Sequence, residues 1–509
     1  MQINTNILSN LTPEEKELFA ILKEVVNKYA PYVTCRVAGG WVRDRLLGKE
    51  SDDIDIMVDK ISGAEFARLV TQYLNVKDPH VVKANPDASK HMETAGADIP
   101  LPSGKNIDVD FAMARKEVYN NDSRIPDIKP ATAQEDAERR DLTINSCFFN
   151  INTGQIEDFT GKGIKDIITN TIRTPLDPLI TFRDDPLRIF RCLRFSAKYN
   201  WNIDHDTYNA MLDPNLKNDI KRKISKERIK DEIVKMLKGP NPLVAINLLK
   251  QTGLFEDIIT EAIKGSKFES KLMNLDMNQN NPNHDLTLWD HTVEVIKNVI
   301  NQYPNSDDEK RVVMILSALM HDLGKLYSDV QTTKDNRTQY IGHENESSLL
   351  SQLILKYLKF ENTLIEEVAK ITESHMVPHS LLNSNQTTLR RFIRNMSEKS
   401  LNWLDVLNHA ISDAYSKGKI VDQATINDYN QLKQKLEEAY QSMKVEKKKV
   451  IPVLNGFEIM KLLNVKPGPI ISTVNEYLKE LQDENPNVTK EEASEKIKMK
   501  FLKQDQNSN

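Results

Sequence analysis

The chain has 509 residues, 39% of them hydrophobic, and a formal net charge of -5. That length suffices for several domains with ample cores, and the acidic balance confines any nucleic-acid surface to a local patch. Three cysteines, Cys35, Cys147 and Cys192, without a CxxC pair exclude a disulfide framework and a thiolate zinc site and suit a reducing compartment. No apolar run reaches membrane-spanning length, and the opening residues Met1 to Asn6 read as neither a secretory leader nor an Arg-rich transit peptide, so a soluble cytoplasmic protein is expected.

Residues 12–30 open with Thr-Pro-Glu-Glu and carry Leu18, Ile21, Leu22, Val25 and Val26 at helical spacing, which predicts a capped helix with one apolar face. From Cys35 to about Asn150 the pattern is mixed: 54–58, 81–83, 107–111 and 142–149 read as strands and 120–133 as a polar loop. Beyond Pro186 helices dominate. The Asn-rich stretch 274–285 reads as a linker, 431–449 as a charged polar section and 504–509 as a frayed end. The expected architecture is an α+β head on a small mixed or antiparallel sheet, then an all-α neck, a second helical domain and a helical tail. The corresponding spans are 1–30, 31–175, 176–275, 284–425 and 430–509.

In the head, Gly39-Gly40 opens a short basic helix, where a glycine turn and free N–H groups can receive a bulky anion. Asp53 and Asp55, two apart on a predicted strand, project both carboxylates from one face and complete a magnesium–nucleotide site. Asp110 is a candidate third carboxylate, or simply a strand end at the surface. Arg139-Arg140-Asp141 can hold a triphosphate and a ribose hydroxyl. Asp185 and Arg188 lie three apart on a helix announced by Pro186, pairing one acceptor with a donor fork. Cytosine and adenine each show an amino donor beside a ring acceptor, whereas guanine and uracil reverse that polarity. The pair can thus admit C and A and refuse G and U; the plainer reading is an intrahelical ion pair. Arg191 and Arg194, on the same helix, suit phosphates. Lys221, Arg222, Lys223, Lys226 and Arg228 form a local basic cluster suited to RNA.

Seven of the ten histidines fall between His284 and His409. His291, the run His321-Asp322-Leu323-Gly324-Lys325, His343, His375 and Asp413 offer nitrogen and oxygen donors on successive predicted helices. Such donors can assemble a site for a divalent transition metal.

Residues 35–260 resemble the CCA-adding tRNA nucleotidyltransferases of the bacterial and eukaryotic class, most closely the eukaryotic members. The resemblance rests on Gly39-Gly40-Trp41-Val42-Arg43-Asp44-Arg45-Leu46, Asp53-Ile54-Asp55, the run from Glu117 to Pro126, Arg139-Arg140-Asp141, Asp158-Phe159-Thr160-Gly161 and Asp185-Pro186-Leu187-Arg188. Where the family commonly has Glu-Asp, this chain has Asp184-Asp185. Residues 284–420 resemble the HD metal-dependent phosphohydrolases. The first resemblance implies two Mg2+ ions on catalytic Asp53 and Asp55, and phosphate contacts from Gly39, Gly40 and Arg43. It further implies sugar contacts from Arg140 and Asp141, and base reading by Asp185 and Arg188 with support from Arg191 and Arg194. The loop at 120–133 would switch the site from CTP to ATP, with tRNA as acceptor. The second resemblance implies a metal on His291, His321, Asp322 and Asp413, with His343 and His375 as candidates for a second metal. It also implies phosphoesterase activity on 2′,3′-cyclic or 3′-phosphate ends. Two other readings stand beside this one: a poly(A) polymerase sharing the head, and an RNA-binding HD phosphohydrolase. Oligomeric state is left open.

Overall fold

The computed structural model describes residues 10–51, 53–82, 94–118, 127–270, 273–279, 286–304, 308–328, 330–332, 338–418, 421–445, 453–485 and 488–501. It divides into two compact units, Met1–Glu261 with Tyr357–Lys359, and Ala262–Lys356 with Phe360–Asn509. Half of the polar loop, half of the linker, part of the charged section and the frayed end expected from sequence lie outside the described residues, as does Lys83.

In the first unit, α1 (Pro13–Tyr29) begins where its capping signal places it: Thr12 accepts from the Glu15 N–H while the Glu15 carboxylate returns to the Thr12 N–H. Its apolar face is buried, with Leu18, Leu22 and Val25 fully enclosed. Glu15 also binds Trp41 Nε1 at 2.7 Å and the buried guanidinium of Arg45. One carboxylate therefore fastens α1 to the helix that follows the glycine turn. Glu15→Ala leaves Trp41 Nε1 without its acceptor and Arg45 with only the Asn10 carbonyl, and is expected to cost about 3 kcal/mol in a urea melt.

The strands are β1 (Cys35–Ala38), β2 (Asp55–Val58), β3 (His80–Val82), β4 (Thr94–Pro100), β5 (Asn106–Met113), β6 (Arg115–Val118), β7 (Asp127–Pro130), β8 (Phe148–Asn150) and β9 (Gln155–Glu157). Seven of them form one mixed sheet in the order β3-β4-β5-β2-β1-β8-β9, while β6 and β7 pair as a separate ribbon. Only β2 and β5 run parallel within that sheet, and their register sets Asp55 opposite Asp110. The crossover between them carries α3 (Gly63–Leu74), capped by Ser62, with its apolar face on the sheet. The strand expected over 142–149 is a correction: a 3-10 turn at Thr143–Asn145 precedes the short β8. Side chains capture the backbone there. Asp141 Oδ1 accepts from the Leu142 N–H, and Ser146 Oγ donates to the Leu142 carbonyl, so no ladder can form.

Helices then dominate. Pro178–Asp184 and Leu187–Tyr199 are separate helices, broken at Asp185, whose backbone is extended as expected of a residue before proline. The helices Pro214–Lys223, Lys226–Lys238, Pro242–Gln251 and Leu254–Ala262 follow.

Among the described residues the second unit is helical apart from a small hairpin, Val330–Thr332 with Thr338–Tyr340, and an isolated bridge between Asn278 and Thr287. Its main helices are Leu288–Gln302, Asp308–Met320, His343–Tyr357, Asn362–Ser374, Gln386–Glu398, Trp403–Ala414 and Gln423–Val445. Three terminal helices, Gly456–Leu463, Pro469–Glu484 and Lys490–Phe501, enclose a core of their own around Ile459, Val474, Leu478 and Ile497. Among the described residues no helix is long and apolar enough to cross a membrane.

Candidate active site and metal centre

A cavity of about 670 Å³ opens in the first unit between the sheet and the helix Leu187–Tyr199. It is lined by Gly39, Gly40, Arg43, Asp53, Asp55, Asp110, Arg140, Asp141, Asp185, Arg188, Arg191 and Arg228, among others. Gly39 has φ +68, a conformation only glycine adopts freely, and a Cβ there would stand 2.7 Å from Arg140 Nη1. The glycine is what lets the Arg140 guanidinium cross the turn and donate to the Asn145 carbonyl at 3.1 Å. Asp55 is held above the usual carboxylate range, first by burial and then by repulsion from Asp53 and Asp110; Asp110 is raised by burial and its acidic neighbours. Crowded oxygen donors that repel one another fit hard divalent cations.

The arginines facing the cavity are held by buried acids. Asp136, almost fully enclosed, bonds Arg139 at 2.7 Å and Arg140 at 2.9 Å. Burial alone would raise Asp136, yet the Arg140 and Arg139 charges and its hydrogen bonds keep its carboxyl below the usual range. Asp141 accepts from Arg191 Nε at 2.7 Å. Arg43 bonds Asn145 and packs over the rings of Phe195 and Tyr199, 5.3 Å from each.

Asp185 and Arg188 reach the same cavity but do not share a helical face, because Asp185 stands before the helix. Each is held by a third residue: Arg228 Nη2 lies 2.9 Å from Asp185, and Glu117 lies 3.1 Å from Arg188 Nη2. Arg194 is not among the lining residues; it is drawn to Glu232 at 2.6 Å and lies 4.3 Å from the centre of the Phe195 ring. The basic cluster is not one face either. Arg228 turns into the nucleotide cavity, Lys221 pairs with Glu261 at 2.9 Å, Arg222 with Asp219 at 3.0 Å, and Lys223 donates to the Arg183 carbonyl at 2.7 Å. Lys226 lines a small cleft with Lys221, Asp257 and Glu261. Sequence reasoning gave no site role to Glu117, Asp136, Asn145 or Glu232; Asp136, on the short helix Ala133–Glu138 and four residues before Arg140 just past its end, was the one within reach of a spacing argument.

The second unit gathers the histidines and aspartates. His291, His321 and Asp413 place one ligand atom each within 4.8 Å of one another, and Asp322, His343 and His375 do the same; all six are buried. The Nδ1 atoms of His291, His321, His343 and His375 each meet a backbone carbonyl, of Ser416, Ala318, Tyr340 and Thr372, at 2.6–2.9 Å. That contact places the proton on Nδ1 and turns the Nε2 lone pairs inward, the arrangement metal-bound imidazoles use. There His291 Nε2 faces Asp413 at 3.0 Å, His343 Nε2 faces Asp322 at 3.1 Å, and the His321 and His291 Nε2 atoms approach to 3.3 Å. Lone pairs opposed at such distances need a proton or a cation between them, so the donor set fits divalent metal. Gly324 makes the turn possible: a Cβ there would meet the His343 carbonyl at 2.1 Å.

Two further side chains reach the ligands, His379, which was not expected, and Lys325 of the run already singled out. His379 Nε2 contacts Asp413 at 2.9 Å, and Lys325 Nζ contacts Asp322 at 2.7 Å. Without metal, protons substitute: burial opposes it, but bonds from Asp322 and Asp413 raise His291 to about 9, and Asp322 likewise raises His343. A raised histidine stabilises fully below its unfolded value of about 6.5 and loses that contribution as pH climbs through its folded value. Chelator-treated protein is therefore expected to lose thermal stability between pH 6.5 and 9, a fall that added divalent metal flattens.

Comparison with known proteins bears on both units. Residues 35–173 match the family model described as the poly A polymerase head domain, 202–264 that of a probable RNA-binding site of polymerase A, and 288–398 the HD domain. A tRNA nucleotidyltransferase of Schizosaccharomyces pombe is 31% identical over 97% of both chains. The mitochondrial CCA tRNA nucleotidyltransferase of Saccharomyces cerevisiae is 31% identical over 93% of this chain and 89% of its own. Among solved structures, the apo form of a CCA-adding enzyme superposes with a TM-score of 0.60 at 21% identity, covering 98% of this chain and 100% of its own. With full-length relatives of this identity on both sides of the HD motif, the chain belongs to the CCA tRNA nucleotidyltransferase family.

Proposed function

We propose that the chain adds C, C and A in turn to the 3′ end of tRNA without a nucleic-acid template, using CTP and ATP. The observation that carries this reading is one cavity holding both the carboxylates of Asp53, Asp55 and Asp110 and the Asp185–Arg188 pair. Asp53 and Asp55 would hold magnesium, which when bound activates the tRNA 3′-hydroxyl and neutralises the triphosphate as pyrophosphate leaves. Gly39, Gly40 and Arg43 bind phosphates, while Arg140 and Asp141, the latter braced by Arg191, face the sugar. Asp185 accepts the amino proton of cytosine or adenine, and Arg188 donates to the adjacent ring nitrogen. Uracil and guanine present the opposite polarity, leaving buried groups unpaired, which is the strongest form of rejection available to a binding site. Arg194 supports the wall from Glu232, and the Lys221 to Arg228 segment meets tRNA phosphates only where its internal ion pairs open.

The HD centre favours a second activity, metal-dependent hydrolysis of terminal 2′,3′-cyclic or 3′-phosphates, on two divalent transition metals. Its supporting observation is a cavity of about 300 Å³ lined by Asp322, Asp413, His343, Lys325 and Lys417, which joins the ligands to cations that suit a phosphate. A cytoplasmic location is proposed; the mitochondrial names of some relatives make cell fractionation the check.

The deciding assay supplies tRNA lacking CCA with each labelled nucleotide alone and together. Two CMP additions followed by one AMP support the main reading. Long A tails identify a poly(A) polymerase, and no incorporation overturns both.

A further inference from the structure

Behind the base-reading pair lies a second, smaller cavity of about 180 Å³, lined by Glu117, Arg139, Thr181, Asp184 and Arg188. Arg139 and Arg188 line both cavities, whereas Glu117 lines only the rear one. Its two oxygens are divided between those guanidiniums: Oε1 lies 3.0 Å from Arg139 Nη1, and Oε2 lies 3.1 Å from Arg188 Nη2. Arg139 continues to Asp136, and Asp136 to Arg140. An unbroken alternation of charge, Arg188–Glu117–Arg139–Asp136–Arg140, thus runs from the base-reading end of the site to the glycine turn.

We propose that Glu117 is a specificity-determining positioning residue: it grips one edge of the Arg188 guanidinium from behind so that the opposite edge meets the base in a fixed orientation. This rests on the CCA-adding reading above. A guanidinium is planar and offers its donors in a rigid fork, so holding one edge fixes the direction of the other. Discrimination between C and U, or A and G, depends on that direction. A loosely held fork rotates and donates to the uracil or guanine carbonyl instead. Glu117 lines no part of the nucleotide cavity itself, so it acts through the guanidiniums it holds, Arg188 at the base and Arg139 beside it.

The test measures kcat/KM for CTP against UTP on tRNA lacking CCA, and for ATP against GTP on tRNA ending in CC. In Glu117→Gln, losing a charge-assisted bond to Arg188 is expected to raise both wrong-to-right ratios by about tenfold. Glu117→Asp keeps the charge but is one methylene short of spanning both arginines, and its ratios are expected to rise less, by about threefold. A merely structural ion pair would depress all four nucleotides together and leave the ratios alone. Ratios within about twofold of wild type in the folded variants overturn the proposal, and should the glutamine variant not fold, the aspartate variant alone decides. Wild-type protein that adds no CMP at all defeats the underlying functional reading instead, so the two failures are distinct.

Discussion

Asp55→Asn is expected to lower the rate of CMP transfer to tRNA lacking CCA by about 10³-fold, some 4 kcal/mol of barrier, while leaving the protein folded. The amide fills the same volume at the end of β2, but it cannot supply the anionic oxygen on which a divalent cation depends. Stability should not fall and should rise slightly, because Asp55 is crowded by Asp53 and Asp110 and removing one charge relieves that repulsion. Rapid-quench measurement of a single turnover separates chemistry from product release, and a thermal melt reports the fold. A rate within threefold of wild type would return Asp53-Ile54-Asp55 to an acidic strand end with no catalytic part.

The second large effect belongs to Asp322. Its Oδ1 faces His343 at 3.1 Å and its Oδ2 faces His321 at 3.3 Å, so one carboxylate serves both triads of ligands. Although burial opposes it, the neighbouring His321 and Lys325 charges and the bonds from His291 and His321 keep Asp322 well below the usual carboxylate range. Asp322→Ala is expected to cut bound divalent metal from about two per chain to less than one and to reduce hydrolysis of a phosphomonoester by about 10³-fold or more. CMP and AMP addition should continue at the wild-type rate. Elemental analysis gives the metal content; unchanged hydrolysis with metal lost would remove the HD centre from that chemistry.

The parts of the site legible in sequence are those whose geometry is local. Gly39-Gly40, Asp53-Ile54-Asp55 and His321-Asp322 carry their meaning within a few residues, because a turn, the entry to a strand and a helix end bring neighbouring side chains together; Asp53 itself lies before β2, which begins at Asp55, so the shared strand face expected of the pair is a correction. The head's mixed sheet and the capped first helix were readable for the same reason. What escaped is set by distant pairing. Glu117 meets Arg188 across seventy residues, and Glu232 draws Arg194 away from the cavity it was expected to serve. The misread strand over 142–149 has another cause: its apolar residues are all buried, but Asp141 and Ser146 divert backbone hydrogen bonds to side chains. Hydrophobic pattern cannot separate a buried turn from a buried strand.

The lining of the nucleotide cavity has a consequence for the form in which its substrate arrives. Six carboxylates, Asp53, Asp55, Asp110, Asp136, Asp141 and Asp185, stand among seven guanidiniums, those of Arg43, Arg115, Arg139, Arg140, Arg188, Arg191 and Arg228. Such a wall is close to electroneutral, so it exerts little long-range pull on a naked tetra-anion. What it suits is a nucleotide already compensated by its counter-cations, whose charges come to rest opposite the matching sign at each point of the wall. On the reading proposed above, the expected working ligand is then the metal–nucleotide salt rather than the free nucleotide, and excess uncomplexed triphosphate is expected to compete poorly for the pocket.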